Sequence, residues 1–462
     1  MKGKNSKGHP VKASQTVRIL GAVAALTALR ISVATSGSLN ESEAFLGVCA
    51  SHPAGGYIEG AAGSPLLLAL LHALGVSGTV ALRWISPLAV LPLSWCIWWI
   101  GRRVAPHRPA VALWAVLCVN LLPPVNLASL VMNGAMVSAA LILLSVVAGW
   151  YAALSHGAGV LRSWALFGVS LAVTTIFWQP VGILLPIALA FRFVDQGAKG
   201  FPVKGFIAAF ALLLLGWIAP LGWNARHDWI GWSSVAAGFD AIPLGSYSLS
   251  LGLLVALSAV ITPFVVRLIY VARGWAIAVL IFGLVMASFS AAMLLVPSAI
   301  PQGLPSPVGV RGIGDVADQL VVLRKERPDA KKRSSFLIAS SPGLAALIGS
   351  RVELTYPERP GAPSVFAAES PSLNSSYALW PSYPDAVAAG IEDTLYTEEK
   401  SASPFVGRNA FYITTESKEE LPQTITGAFG AVGLLKEVPI TWNGRPVTIR
   451  IYQCEDYRTL SL

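Results

Sequence analysis

From Ser163 to Val194 the chain reads SWALFGVSLAVTTIFWQPVGILLPIALAFRFV, 32 residues carrying a single charge, Arg192. One unbroken helix of that length would measure about 48 Å, against a hydrocarbon core of about 30 Å. The segment is therefore expected to form two short membrane helices broken at Gln179-Pro180, because proline drives the residue before it out of the helical region. Cations flank it, Arg162 before and Arg192, Lys199 and Lys204 at its close. Positive residues of short loops stay on the cytoplasmic side, so both ends lie inside and the segment crosses an even number of times.

Further apolar runs long enough to span lie near residues 17 to 36, 79 to 100, 109 to 127, 134 to 154, 203 to 222, 247 to 270 and 275 to 297, making about nine spans in all. That count places Lys2, Lys4, Lys7 and Lys12, then Arg102, Arg103 and Arg108, then Arg267 and Arg273 inside. Everything after about residue 298 is then outside, as are residues 37 to 78, a turn at 128 to 133, the Gln179 turn and residues 223 to 246. The first run contains Arg30 and is followed by many more, which favours an uncleaved helix over a signal peptide. Ser64 to Val76 is apolar but too short to cross, so it is expected along the membrane interface, where it would meet a lipid substrate.

Composition agrees with a chain dissolved in lipid: 54% of residues are hydrophobic, 12% are charged and the mean hydropathy is +0.63. The formal net charge is +9, and it is unevenly held: residues 1 to 302 carry 17 Lys+Arg against 6 Asp+Glu, the remainder 16 against 18. Because the cations sit in loops between apolar runs they set orientation, and nucleic acid is not an expected partner. The four cysteines have no CxxC or metal-ligand spacing, although Cys49 and Cys454 both fall in segments expected outside. Metal ligands are not assigned, and a divalent cation is left open.

Beyond Gly303 the periodicity changes to short β-rich runs, Ser335 to Ser340, Ser364 to Ala368 and Ala410 to Thr415, with helical stretches near 342 to 349 and 418 to 429. Val438 to Trp442 and Val447 to Tyr452 flank Asn443-Gly444, the pair that supplies two positive φ angles to a type I′ hairpin. The expected architecture is a polytopic α-helical membrane domain, residues 1–302, followed by a soluble α/β domain, residues 303–462, in the periplasm or outside the cell, with the N-terminus cytoplasmic in the plasma (inner) membrane. No P-loop, GxGxxG, HExxH or GxSxG pattern supports ATP-driven transport or serine hydrolysis.

Ionisable residues on the outward side are functional candidates by default, and before the soluble domain the outward carboxylates are Glu41, Glu43, Glu59, Asp228 and Asp240. Glu43 and Glu59 suit a general base for an acceptor hydroxyl, or are solvated loop charges. Trp223-Asn224-Ala225-Arg226-His227-Asp228-Trp229 follows a span and joins a guanidinium and an imidazole to two indoles. Arginine pairs with phosphate oxygens and tryptophan stacks on apolar sugar faces; the alternative is plain anchoring of a helix end at the headgroups. Arg30 and Arg83 lie in or at the edge of spans, and Arg83 is near enough to the surface to snorkel.

In order along the chain, Glu41-Ser42-Glu43-Ala44-Phe45, Gly56-Tyr57-Ile58-Glu59, Ser64-Pro65-Leu66, Leu82-Arg83, Gly101-Arg102-Arg103 and Leu221 to Trp229 resemble motifs of the protein O-mannosyltransferase and lipid A aminoarabinose transferase superfamily, membrane glycosyltransferases of GT-C architecture. Ser376-Tyr377-Ala378-Leu379-Trp380 and the terminal hairpin are similar to the extracytoplasmic domain of a bacterial branch. The resemblance implies transfer of a sugar from a polyprenyl-phosphate donor to a lipid, glycan or protein acceptor, with a first-loop acid as base. Carried onto this sequence, Glu43 and Glu59 are the catalytic candidates, and Glu41, Arg83, Asn133, Gln179, Trp223, Asn224, Arg226 and His227 contact substrate. The family's Asp-Glu pair reads Ser42-Glu43 here, its T-P-D-A-P loop reads Met132-Asn133-Gly134-Ala135-Met136, and its Lys-Tyr turn reads Trp178-Gln179. Those changes equally fit a catalytically inactive relative that binds lipid-linked sugar or scaffolds envelope assembly; a secondary transporter is the third reading.

Overall fold

Prolines and glycines cut the apolar runs into elements whose ends follow from their sequence. The computed structural model describes residues 13–76, 78–132, 134–196, 201–232, 246–271, 309–328, 333–352, 361–369, 375–383, 405–416 and 421–458. They fall into two units: residues 1–36, 60–229 and 245–299 in the first, and residues 37–59, 230–244 and 300–462 in the second. The expected span at 275 to 297, Asn133, Lys199 and Asp240 lie outside the described residues.

α1 (Ala13–Ser36) is followed by α2 (Glu41–Ser51), which belongs to the second unit. The first unit continues with α3 (Gly63–Ala73), α4 (Gly78–Val104), α5 (Pro109–Leu121), α6 (Pro123–Leu130), α7 (Ala135–Ala153), α8 (Val160–Phe177), α9 (Leu184–Gln196), α10 (Val203–Arg226) and α11 (Ser246–Val271). Among the described residues six helices are long and apolar enough to cross a membrane, and α5 with α6 makes a seventh if the pair is one crossing bent by 59°. α8 stops at Phe177, Trp178 is extended (φ −150°), and a 3-10 turn at Gln179–Ile183 leads into α9, so the expected break is present. Apolar α3, with 11 residues, is too short to cross.

One expectation is corrected. The run from 109 to 127 is not one straight helix and no turn begins at 128: Leu122 is extended (ψ 134°) ahead of Pro123-Pro124, and a separate helix occupies Pro123–Leu130. Two successive prolines remove two helical donors and force Leu122 out of the α region, which breaks the run in its middle.

In lipid, helices gain by approaching closely, and small residues permit it. A Cβ on Gly168 of α8 would come 2.6 Å from the Ala209 Cα of α10, and one on Gly216 of α10 would come 2.7 Å from the Ala172 Cα of α8. The glycines are therefore the contact surface of that pair.

The second unit carries a six-stranded sheet in the order β1-β5-β6-β4-β2-β3. Its strands are β1 (Val310–Arg311), β2 (Phe336–Ala339), β3 (Phe366–Ala367), β4 (Ala410–Thr414), β5 (Phe429–Trp442) and β6 (Arg445–Tyr457). β2 runs parallel to both β3 and β4, and the other pairs are antiparallel. The hairpin β5–β6 turns at Asn443 (φ 49°) and Gly444 (φ 82°), the two positive angles that the dipeptide calls for, and its strands extend well beyond the expected runs. Helices α12 (Ile313–Glu326), α13 (Pro342–Gly349) and α14 (Gln423–Thr426) complete the unit. α14 is one turn where a helix at 418 to 429 was expected, because Phe429 already belongs to β5, paired with Tyr457. The core is aromatic: Phe336, Phe366, Tyr383, Phe405, Phe429 and Tyr457 are all buried in one cluster.

Gly168→Leu or Gly216→Leu is expected to destabilise the membrane unit by about 1–3 kcal/mol through overpacking, lowering the melting temperature in detergent. Gly222→Leu, whose added Cβ would meet nothing within 4 Å, is expected to leave it unchanged.

Candidate functional site

The first-loop acids are organised by α2 and the second unit. Asn40 caps α2: its Oδ1 accepts the Glu43 N–H at 2.8 Å, and the fully buried Glu43 carboxylate accepts the Asn40 N–H at 3.2 Å, a reciprocal capping box. Glu59 is likewise engaged. Its Oε1 accepts the Ser375 hydroxyl and the Ser376 N–H, both at 2.7 Å, and its Oε2 accepts the Ser376 hydroxyl. The Ser376 Oγ accepts the Ile58 N–H at 3.0 Å, so the chain around Glu59 is tied on both sides to a turn more than 300 residues away. Burial pushes the Glu59 carboxyl up from its ordinary value, and those three hydrogen bonds pull part of the way back.

Glu41, in the first turn of the same helix, differs from both. It is half-buried, and burial raises its carboxyl to about 7. Its side chain lies against α13, where a Cβ on Gly343 would come 2.5 Å from Glu41 Oε1. A side chain at that position would push the carboxylate aside. Nearby in the same unit, Trp380 stacks on His52 (4.5 Å between ring centroids) and on Phe45 (6.4 Å). Cys49 and Cys454 are buried free thiols.

In the first unit the Trp223 to Trp229 segment closes α10. Trp223 and His227 stack at 4.4 Å, and His227 Nδ1 lies 2.8 Å from the Trp223 carbonyl. A donated Nδ1–H there leaves Nε2 of the neutral ring with the lone pair. Asn224 is buried, donates to the Pro220 carbonyl at 3.0 Å, and its Oδ1 has no partner among the described residues. Asp228 (φ 49°) and Trp229 (φ 60°) are both left-handed, a conformation costing a non-glycine residue about 1–2 kcal/mol. The His227 and Trp229 N–H groups both reach the Asn224 carbonyl, which holds that turn in place and leaves Arg226 exposed.

Arg83, expected to snorkel, is buried in α4. Gln179 opens the 3-10 turn after α8. Gly134 has φ +81° and lies so close to Ser64 that a Cβ would strike the Ser64 Oγ. Glycine at this point of the altered loop therefore serves geometry. Thus Glu41, Glu43 and Glu59 are assembled in the second unit, while Arg83, Gln179 and the α10 end belong to the first. The residue ranges of the first unit contain 17 Lys+Arg and only two acids, Asp195 and Asp228. Among the described residues no group of three or more His, Cys, Asp or Glu gathers as metal ligands. Ser375 and Ser376 were missed as partners of Glu59, since no local pattern links positions so far apart.

Because the folded carboxyl of Glu41 titrates near 7 and an unfolded one near 4.5, stability is fully present below about 4.5 and is lost as pH rises through 7. Wild type is therefore expected to melt progressively lower than Glu41→Gln between pH 5 and pH 8, as read by thermal unfolding in detergent. Parallel curves would remove the assignment of a buried, uncompensated carboxyl.

No protein-family model matches the sequence, and no curated protein matches it. Two solved structures are similar to the chain. The crystal structure of ArnT from Cupriavidus metallidurans bound to undecaprenyl phosphate is 12% identical, with 96% of this chain and 98% of that one covered and a TM-score of 0.48. The apo structure of the same protein is 13% identical over 94% and 98%, with a TM-score of 0.45. At this distance the likeness carries no conclusion about chemistry.

Proposed function

We propose that this chain is a membrane glycosyltransferase that takes a sugar from a polyprenyl-phosphate donor and passes it to an acceptor hydroxyl at the outer face of the plasma membrane. The observation that carries the reading is the α10 end. There an exposed guanidinium, an imidazole of fixed orientation and a buried amide with an open oxygen are held on a strained turn next to an apolar helix. Strain of this kind is kept where surrounding structure over-determines it, and it clusters at sites that bind or react. Arg226 meets the donor phosphate, and the tryptophans offer faces to the sugar.

In the reaction the acceptor oxygen forms a bond to the sugar's anomeric carbon and the bond from that carbon to phosphate oxygen breaks. The acceptor proton goes to a carboxylate, and polyprenyl phosphate leaves as the anion. Glu41, Glu43 and Glu59 are the candidates for that carboxylate. A base needs a lone pair free for the acceptor and a pKa near the working pH. Glu43 spends an oxygen on a backbone N–H and Glu59 accepts from three donors, whereas Glu41 is half-buried and titrates near neutrality. We assign proton transfer to Glu41 first, with Glu43 and Glu59 supporting the fold of the loop as well as being candidates.

The second reading, an inactive relative that binds lipid-linked sugar, is favoured by those structural commitments of Glu43 and Glu59. Sugar transfer from a panel of polyprenyl-phosphate donors, assayed in membranes, separates the two. Glu41→Gln is expected to lower kcat by about 10²–10⁴-fold. Glu43→Gln preserves the capping box, since glutamine also closes it, and is expected to cost less. Transfer unaffected by all three Glu→Gln changes would remove the carboxylate mechanism; no transfer with any donor would favour the inactive relative.

A further inference from the structure

Arg30 lies in apolar α1 and is 4% exposed, a position where a cation is costly unless its donors are used. They are used on two asparagines that flank the elbow between α5 and α6. Nη1 donates to Asn120 Oδ1 at 3.0 Å, Nη2 to the Asn120 carbonyl and to Asn126 Oδ1 at 2.8 Å, and Nε to Asn126 Oδ1 at 3.1 Å. Asn120 donates in turn to Ser94 Oγ at 2.9 Å and Asn126 to the Leu122 carbonyl at 3.1 Å.

The reason for the arrangement is the proline pair. In a continuous helix the Asn120 carbonyl would accept the N–H of residue 124, but Pro124 has none. An orphaned carbonyl in an apolar medium is costly, and the Arg30 guanidinium supplies the missing donor. Every acceptor it uses is a neutral amide oxygen, so the planar fork, which spans two side chains and one carbonyl at once, is what the site needs.

The elbow has a downstream consequence. From Asn126, one turn of α6 leads to Val131 and Met132, and the Ser86 hydroxyl meets the Val131 carbonyl at 3.2 Å and the Met132 Sδ at 3.3 Å. Gly134 follows, against Ser64 at the start of α3. We propose that Arg30 is a positioning residue, whose guanidinium closes the proline elbow and thereby sets the turn at Val131, Met132 and Gly134 for binding of the lipid-phosphate donor. The donor part rests on the transferase reading; the clamp itself does not.

The test uses Ser86→Cys together with Met132→Cys as a proximity pair, oxidised mildly in the full-length protein in membranes. In an otherwise wild-type chain the pair is expected to cross-link, and adding Arg30→Lys, which keeps the charge but loses the fork, is expected to slow cross-linking about tenfold or more. In the chain without added cysteines, Arg30→Lys is expected to raise KM for the donor about tenfold, with kcat changed little. Asn126→Ala removes the shared acceptor without touching the cation, and is expected to act in the same direction and to add nothing to Arg30→Lys. Should Arg30→Lys not fold, Asn126→Ala alone decides. Cross-linking at the wild-type rate in the variant that folds would overturn the clamp. Slowed cross-linking with no transfer by any donor would uphold the clamp and defeat the transferase reading, and slowed cross-linking with unchanged KM would overturn the link to donor binding.

Discussion

Hydrocarbon neither donates nor accepts hydrogen bonds, so every interruption of a membrane helix has to be repaired by the protein itself. That constraint organises the first unit. Its clearest case is Leu122-Pro123-Pro124, where two missing N–H groups and an extended residue would leave the end of α5 unsatisfied. The repair comes from a different helix, through Arg30 and two asparagines, one on each side of the break. A similar economy appears at Arg192, whose guanidinium reaches the Ala153 and Ser155 carbonyls at the end of α7. Arginine is suited to both places because one rigid fork satisfies several acceptors.

The same logic in the second unit explains the first-loop acids. Glu43 and Glu59 are buried with an oxygen of each accepting a backbone N–H, one at the start of α2 and one at the Ser376 turn. Being committed in this way makes them good structural elements and poorer bases. Glu41, one position from the altered Ser42, is left with burial as its main perturbation, and Gly343 leaves the space it occupies.

Much of the architecture was legible from residues. The Gln179-Pro180 break, the short apolar α3 and the Asn443-Gly444 hairpin each follow from one local rule of length or dihedral preference. Other elements were written in the sequence but not read: α12 buries Ile313, Val316, Ala317 and Leu320, a plain helical spacing, and Pro123-Pro124 announces the elbow. The contacts that matter to the candidate site were not legible at all. Asn120 and Asn126 look like ordinary polar residues near a span end, and nothing near Glu59 names Ser375 or Ser376 as its partners, since those contacts arise only when distant segments meet.

On the proposed reading the chain binds a lipid through its phosphate. The most direct test is binding of polyprenyl phosphate, compared with the uncharged polyprenol, to the purified protein, followed by intrinsic tryptophan fluorescence. Saturable binding of the phosphate, weakened about tenfold or more by Arg226→Gln and much tighter than that of the alcohol, is the predicted result. Equal affinity for the phosphate and the alcohol, indifferent to Arg226→Gln, would contradict it.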